Sequence, residues 1–434
     1  MRGTLRLAVV LSLLVTPAAV AQQHAATVGD FPSCQEAAID SDTNRIFATV
    51  GLAGPYGIAV IDGATASVIA TVPTAAYPWG VAFNPLTNRV YVASQGGGGV
   101  TVIDAETYTV ITTINPFAAA SGVLVDVRTN RIYATQESGT NLWIIDGATD
   151  TQIGTIGLPV FRPSLMALNP ATDRLYIANN AFGPIVVFDV ATNAIVNTIS
   201  VAHGGHLAMD PVNQRLYFTE VVTHQLAVID LATEAVSHVF LDPAPLASDP
   251  PIGVAYNSNT NRIFVSRAIS HSVDVLDAGS FDVVATIPSG NFGIAVNETN
   301  NLVCVCERGG SVDGDPPSPG RLHILRDETA PLAVSIDVRP KAINLRAKGV
   351  VSAVIFSDTT FDATIVDPAT VQLAAAPATR SNIEDANGDG TADLVVHFDR
   401  AALQLTMGDT TATLTGKTFG GQNIEGNDSV RIVR

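Results

Sequence analysis

The chain has 434 residues, 47% of them hydrophobic and 15% charged, and 40 acids against 23 bases give a net charge of -17. That balance excludes unassisted nucleic-acid binding and adhesion to anionic lipid, because both need clustered positive charge.

Arg2 and Arg6 precede an apolar stretch over residues 7–15, and Ala19-Val20-Ala21 stands before Gln22. A basic start, a short apolar run and a small-residue site predict a signal peptide over residues 1–21, cut after Ala21. No later run approaches the roughly 18 apolar residues of a transmembrane helix. The expected location is therefore secreted, periplasmic or on the cell surface, without a membrane span.

A turn whose best copy is Asn84-Pro85-Leu86-Thr87-Asn88-Arg89, followed by Val90-Tyr91-Val92-Ala93, recurs along most of the chain. Its second Asn, or a stand-in, falls at Asn44, Asn88, Asn130, Asp173, Gln214, Asn261 and Asn300, with spacings of 44, 42, 43, 41, 47 and 39. In the second copy, residues 80–83, 90–94, 100–104 and 109–114 are rich in Val, Ile, Thr and Tyr and separated by turn residues, as strands are. Four short strands at a period of about 40 predict propeller blades. The expected fold is all-β, a seven-bladed β-propeller over residues 22–330 followed by a small β-sandwich-like domain.

Blade 7 has candidate strands at 292–296, 302–306 and 322–325 but no outer strand before Asp327-Glu328-Thr329-Ala330-Pro331. Ala26-Thr27-Val28 lies 44 residues before Ala70-Thr71-Val72, the outer strand of blade 1, and 44 is also the first turn spacing. The N-terminus is thus expected to supply the missing strand and pair a free sheet edge. By the same offset Cys34 matches Pro78 and stands just before the inner strand of blade 1, while Cys306 ends the second strand of blade 7 at the same face. A disulfide from Cys34 to Cys306, or to Cys304, is expected across the closure.

Arg45, Arg89, Arg131, Arg174, Arg215 and Arg262 open the second strands, and Asp62, Asp104, Asp146, Asp189, Asp230 and Asp277 close the third. Blade 7 loses both, with Asn301 at the Arg position and Arg326 at the Asp position. The joint loss predicts an ion pair within each blade, with capping of the following turn by Asp as the alternative.

These motifs resemble the YVTN-type β-propeller repeat family through Tyr91-Val92-Ala93-Ser94, Tyr176-Ile177-Ala178-Asn179, Tyr133-Ala134-Thr135-Gln136 and Phe264-Val265-Ser266-Arg267. The resemblance spans residues 25–327 and implies a secreted or surface protein of bacterial or archaeal type. Related seven-bladed architectures also host lactonases and lyases, and similar propellers accompany periplasmic redox systems.

His203 and His206 enter the inner strand of blade 5, while His224 and His271 fall in loops between second and third strands. Both loop types emerge on one propeller face, where pockets commonly form over the axis, and histidines there could bind a metal or act as acid and base. Their spacing matches no zinc signature, and ordinary exposed loop histidines are the favoured reading. No nucleophile, base and orienting group are recognisable together. The expectation is a monomeric binding or scaffold propeller whose partner is a protein, glycan or small molecule. A lactonase-like or lyase-like enzyme, or an accessory to a periplasmic redox system, is the alternative.

All three lysines, Lys341, Lys348 and Lys417, lie beyond the repeats, which places a boundary near residue 330. Residues 331–434 read as all-β, with strand candidates at 334–338, 350–356, 364–366, 394–398, 411–414 and 430–433. They resemble a C-terminal module of secreted microbial proteins in the segments 343–349, 361–362, 366–368, 413–416 and 428–430. Within them Asp385, Asn387, Asp389 and Asp393 place side-chain oxygens at positions one, three, five and nine of a loop, with the Thr391 carbonyl at seven and Gly390 at six. Oxygen donors at that spacing predict calcium, although Val396 replaces the Glu of an EF-hand. An acidic Gly-rich turn without metal is the other reading.

Overall fold

A computed structural model describes residues 23–51, 54–115, 119–180, 183–241, 249–309, 319–327, 331–358, 361–419 and 422–433. The proposed signal peptide, residues 1–21, and residues 328–330 of the linker lie outside these. The chain forms two compact units, one over Gln22–Asp327 and one from Glu328 to Arg434.

The first unit holds seven four-stranded antiparallel sheets. Their inner strands are Cys34–Asp40, Pro78–Asn84, Ala120–Asp126, Pro163–Asn169, Leu207–Asp210, Pro251–Asn257 and Ile294–Asn297. Each contacts the next, and the last returns to the first, so the seven blades close a ring. Second and third strands are covered on both faces, and Arg89–Ser94 and Val100–Asp104 are almost continuously buried. Outer strands such as Ser67–Pro73 are largely exposed. The core therefore lies between blades, where Phe47 and Ile58 of blade 1 pack with Val90 and Val92 of blade 2. Burying each such side chain stabilises the fold by about 1.5 to 3 kcal/mol, and no blade can do so alone.

The N-terminal strand Gln23–Phe31 pairs antiparallel with Gly320–Arg326, Thr27 facing His323 and Val28 facing Leu322. The missing outer strand of blade 7 is thus supplied as expected. Cys34 is bonded to Cys306 with Cα atoms 5.0 Å apart, and Cys304 is free and buried.

Backbone amides explain the position of this disulfide. A register slip near the start of the inner strand leaves one N–H unpaired, and a hydroxyl on the second strand accepts it. Glu36 donates to Thr49 Oγ1 at 2.9 Å, Gly122 to Thr135 at 2.8 Å, His206 to Thr219 at 2.9 Å and Gly253 to Ser266 at 2.8 Å. Thr135, Thr219 and Ser266 then donate to carbonyls of the next blade, Ser164, Ile252 and Phe292, at 2.8, 2.6 and 2.7 Å. Register puts Cys306 at this same position in blade 7, so a covalent bond replaces the hydroxyl bridge at the closure.

The opposite ends of the blades carry the repeated turn. Its second polar residue takes positive φ, between 50° and 56° at Asn44, Asn88, Asn130, Asp173, Gln214 and Asn261, a region Asn tolerates well. In blade 7 the residue with φ 55° is Asn301, not Asn300. Leu302 therefore occupies the Arg position, facing Arg326, a one-residue correction hidden by the doubled Asn. The first polar residue of the turn is buried and bonds across blades: Asn84 donates to Asn130 at 2.8 Å, and Asn297 of blade 7 to Asn44 of blade 1 at 3.0 Å.

The six Arg residues do face the six Asp residues in register. Direct ion pairs within a blade are seen at Arg45–Asp62 and Arg174–Asp189. Arg89, Arg131 and Arg215 instead reach the carbonyls of Gly147, Val190 and Ala278 in the following blade, where Arg89 also pairs with the Asp150 carboxylate at 2.7 Å. All six Asp residues cap their own turn, as Asp104 does for the N–H groups of Glu106 and Thr107 at 3.0 and 2.7 Å. Backbone donors hold the Asp62, Asp104, Asp146 and Asp189 carboxyls below the ordinary value. Turn capping is the general role, and the ion pair is an addition in two blades.

The second unit holds a two-stranded sheet, Ala342–Asn344 with Arg431–Val433, and an eight-stranded sheet in which Val366–Leu373 and Ala376–Glu384 pair only at their shared hairpin end. The sheet curls there, and both halves enclose one core that includes Val351, Phe398, Val371 and Leu414. Residues 363–365 form a 3-10 turn rather than the start of a strand, because Asp362 caps it through Thr364 N–H.

Candidate functional site

The slip level of the inner strands defines the neck of the channel. Its ring positions are Glu36, Gly80, Gly122, Leu165, His206, Gly253 and Gly293, matched by register. Glycine is required where blades crowd: a Cβ on Gly80 would stand 2.7 Å from the Ser121 carbonyl oxygen. The large polar side chains at this level are therefore Glu36 and His206, from blades that are not neighbours.

They meet across the axis, with His206 Nδ1 3.2 Å from Glu36 Oε1 and side chains 8% and 12% exposed. The contact lacks hydrogen-bond alignment, which leaves Glu36 Oε1 buried without a hydrogen-bond partner. Burial lowers the His206 pKa to about 4 and raises that of Glu36 well above the carboxylate range. Both shifts favour the uncharged forms.

Phe292 of blade 7 meets His206 edge to face at 5.7 Å, and Trp79 of blade 2 meets Phe292 likewise at 5.5 Å. The guanidinium of Arg308 lies 5.9 Å from the Trp79 ring and 5.4 Å from Phe292, and although the residue is exposed, partial burial of its charge lowers its pKa. From solvent inward, the order is a cation, two aromatic rings and a neutral acid–base pair. Chemically this is a platform for a planar or anionic group, with polar contacts below it.

The four sequence-derived histidines each have a different setting. His206 joins the channel, whereas His203 Nε2 lies 3.1 Å from the Asn180 carbonyl in blade 4. His271 Nδ1 bonds Glu307 at 2.9 Å and its Nε2 bonds Asn291 at 3.3 Å. His224 occupies a turn position with φ 58°.

Sequence reasoning missed Glu36, Trp79, Phe292 and Arg308 at the channel, and Glu307, His323 and His24 beside His271. Alignment of the repeats at the slip level carried a signal, since Glu36 and His206 interrupt a mostly glycine column.

In the second unit Asp385, Asn387, Asp389 and Thr391 share the loop before strand Asp393–Asp399, which Asp393 opens. Asp385 accepts N–H groups of Gly388 and Gly390 at 2.7 and 3.0 Å, and Asp389 accepts Thr391 N–H at 2.8 Å. Asp393 is fully buried and accepts Ser357 and Ala386 N–H groups at 2.9 and 3.0 Å. Among the described residues no three His, Cys, Asp or Glu side chains form a ready metal group, and no helix is long and apolar enough to cross a membrane.

No protein-family model matches this chain, and no curated protein matches it. Solved structures match in number, 1530 chains, so the fold is widely used and does not single out an activity. One of them is hydrazine synthase of Kuenenia stuttgartiensis, at 15% identity and a TM-score of 0.56, covering 67% of this chain and 96% of that one. At that identity the likeness shows a shared fold.

Proposed function

We propose that the chain is a secreted or surface-associated propeller of the YVTN repeat type that binds a ligand without turning it over. The observation that carries this reading is the channel mouth, where Arg308 covers Trp79 and Phe292 above the Glu36–His206 pair. Aromatic rings joined by an arginine are the chemistry of binding hot spots. The neutral pair beneath offers polar contacts to whatever displaces the guanidinium. As part of the same reading, the loop of Asp385, Asn387, Asp389, Thr391 and Asp393 holds a structural calcium ion.

Trp79 is half-buried at the mouth whereas Trp143 is fully buried in a blade, so intrinsic fluorescence reports mainly on the mouth. Titration with panels of anionic oligosaccharides and acidic peptides is expected to change it for at least one class, with the response lost in Arg308→Ala. Lactones and esters are expected to be left intact. Turnover abolished by His206→Ala in a folded protein would replace this reading with an enzymatic one.

A further inference from the structure

A second cluster lies away from the channel, where the N-terminal strand closes blade 7. The register slip between His24 and Ala26 brings His24 and Thr27, three residues apart, to one face, which a regular strand would not do. There His24 Nε2 lies 3.2 Å from His323 Nδ1. Thr27 Oγ1 lies 3.0 Å from the first nitrogen and 3.3 Å from the second.

We propose that His24, His323 and Thr27 form a binding site for one divalent transition-metal cation of the zinc class, clamping the N-terminal strand to its neighbour. Zinc–nitrogen bonds of about 2.0 to 2.1 Å in a tetrahedron separate neighbouring ligand atoms by about 3.3 Å. The three donor atoms already stand at that spacing from one another.

The surroundings fix the required tautomer. His323 Nε2 is 3.0 Å from Glu307 Oε2, so its N–H donates to the carboxylate and Nδ1 keeps the lone pair facing His24. A carboxylate behind a ligating histidine is the usual outer-shell arrangement of metal sites. Glu307 is itself held, its other oxygen accepting from His271 at 2.9 Å. His24 and Thr27 are exposed, which gives the cation an entry path and leaves room for water as a fourth ligand. On binding, the His24 proton moves from Nε2 to Nδ1 through solvent, so that both facing nitrogens offer lone pairs and the cation sits between them.

The test uses the full-length protein without a polyhistidine tag, stripped with chelator and titrated calorimetrically with zinc sulfate. One zinc per chain is expected, with a rise in melting temperature as the strand is clamped. His24→Ala removes an exposed side chain and is expected to lower affinity at least about tenfold and abolish the thermal shift. Glu307→Gln, which does not touch the metal, is expected to weaken binding by about tenfold, while His224→Asn leaves it unchanged. Failure of the wild type to bind zinc at millimolar concentration, or equal binding by His24→Ala, overturns the proposal.

Discussion

The guanidinium of Arg262 in blade 6 and the carboxylate of Asp327, just past the last strand of blade 7, lie 2.8 Å apart with side chains 9% and 0% exposed. At three other junctions the corresponding guanidinium reaches a backbone carbonyl, joined in the case of Arg89 by the Asp150 carboxylate at 2.7 Å. Asp327 also accepts Asn257 Nδ2 at 2.8 Å, so one carboxylate joins the turn of blade 6 to the end of the ring.

Asp327→Ala leaves the Arg262 charge buried without its carboxylate and is expected to cost about 3 to 5 kcal/mol in urea unfolding. Arg45→Ala, which breaks a pair 31% and 26% exposed, is expected to cost about 0 to 1 kcal/mol. Equal losses from the two variants would show that burial does not distinguish them.

Removing residues 22–30 takes away most of the strand that covers Gly320–Arg326. The shortened protein is expected to melt earlier and to associate through the uncovered edge. Light scattering that shows an unchanged monomer, with unchanged melting, would contradict the closure.

Reduction of Cys34–Cys306, or Cys34→Ser, is expected to lower stability by about 2 to 4 kcal/mol. Mass spectrometry of unreduced peptides should show that pair. Burial pushes the Cys304 thiol well above its ordinary pKa, so maleimide is expected to label it only on unfolding. Labelling of Cys304 in the native protein would refute its burial.

The channel pair gives stability two opposed pH dependences. Between about pH 4 and 6.5 the unfolded state protonates His206 and the folded state does not, so stability rises with pH there. Above the ordinary Glu value the folded state keeps the Glu36 proton and the unfolded state loses it, so this group lowers stability as pH rises. Glu36→Gln removes the second effect and is expected to raise the melting temperature at pH 7 while leaving the acid-side slope. Destabilisation by Glu36→Gln at pH 7 would mean that the carboxylate is charged and paired in the fold.

For the loop at 385–393, calcium is expected to raise the temperature of the transition belonging to the second unit, and Asp389→Ala to remove that response. Oxygen ligands favour calcium over zinc, and the missing Glu at position twelve points to weaker binding than in an EF-hand. Calorimetry without calcium binding at millimolar concentration would leave a metal-free turn. The hydrogen bonds that Asp385 and Asp389 already accept from backbone would then be the whole role of the acids.

The repeat made the propeller legible because turn chemistry is local: a polar residue, mostly Asn, at positive φ in all seven copies and Asp over two amides in six leave a recurring mark. Closure was legible for the same reason, since Ala26-Thr27-Val28 repeats an outer-strand spacing. Where Asn300 and Asn301 stand together, the local mark is ambiguous by one residue, and only pairing of Leu302 with Arg326 resolves it. The channel was not legible by spacing. Glu36 and His206 are 170 positions apart and meet because a ring brings non-neighbouring blades to one axis. The same-blade Arg–Asp pair holds in two blades, and the cross-blade partners of the other arginines were not legible because sequence displays strand neighbours and hides the adjoining sheet.

The pairing of residues near 23–31 with residues near 320–326 also orders events in time. A ribosome makes the first of these segments long before the second, and Cys34 precedes Cys306 by 272 positions. Six blades can stack as they emerge, each on its predecessor, but the first segment has no complement until nearly the whole propeller has been made. A truncated product that stops before Cys306 would carry a dangling strand and an unmatched thiol together, two marks by which unfinished chains differ chemically from finished ones.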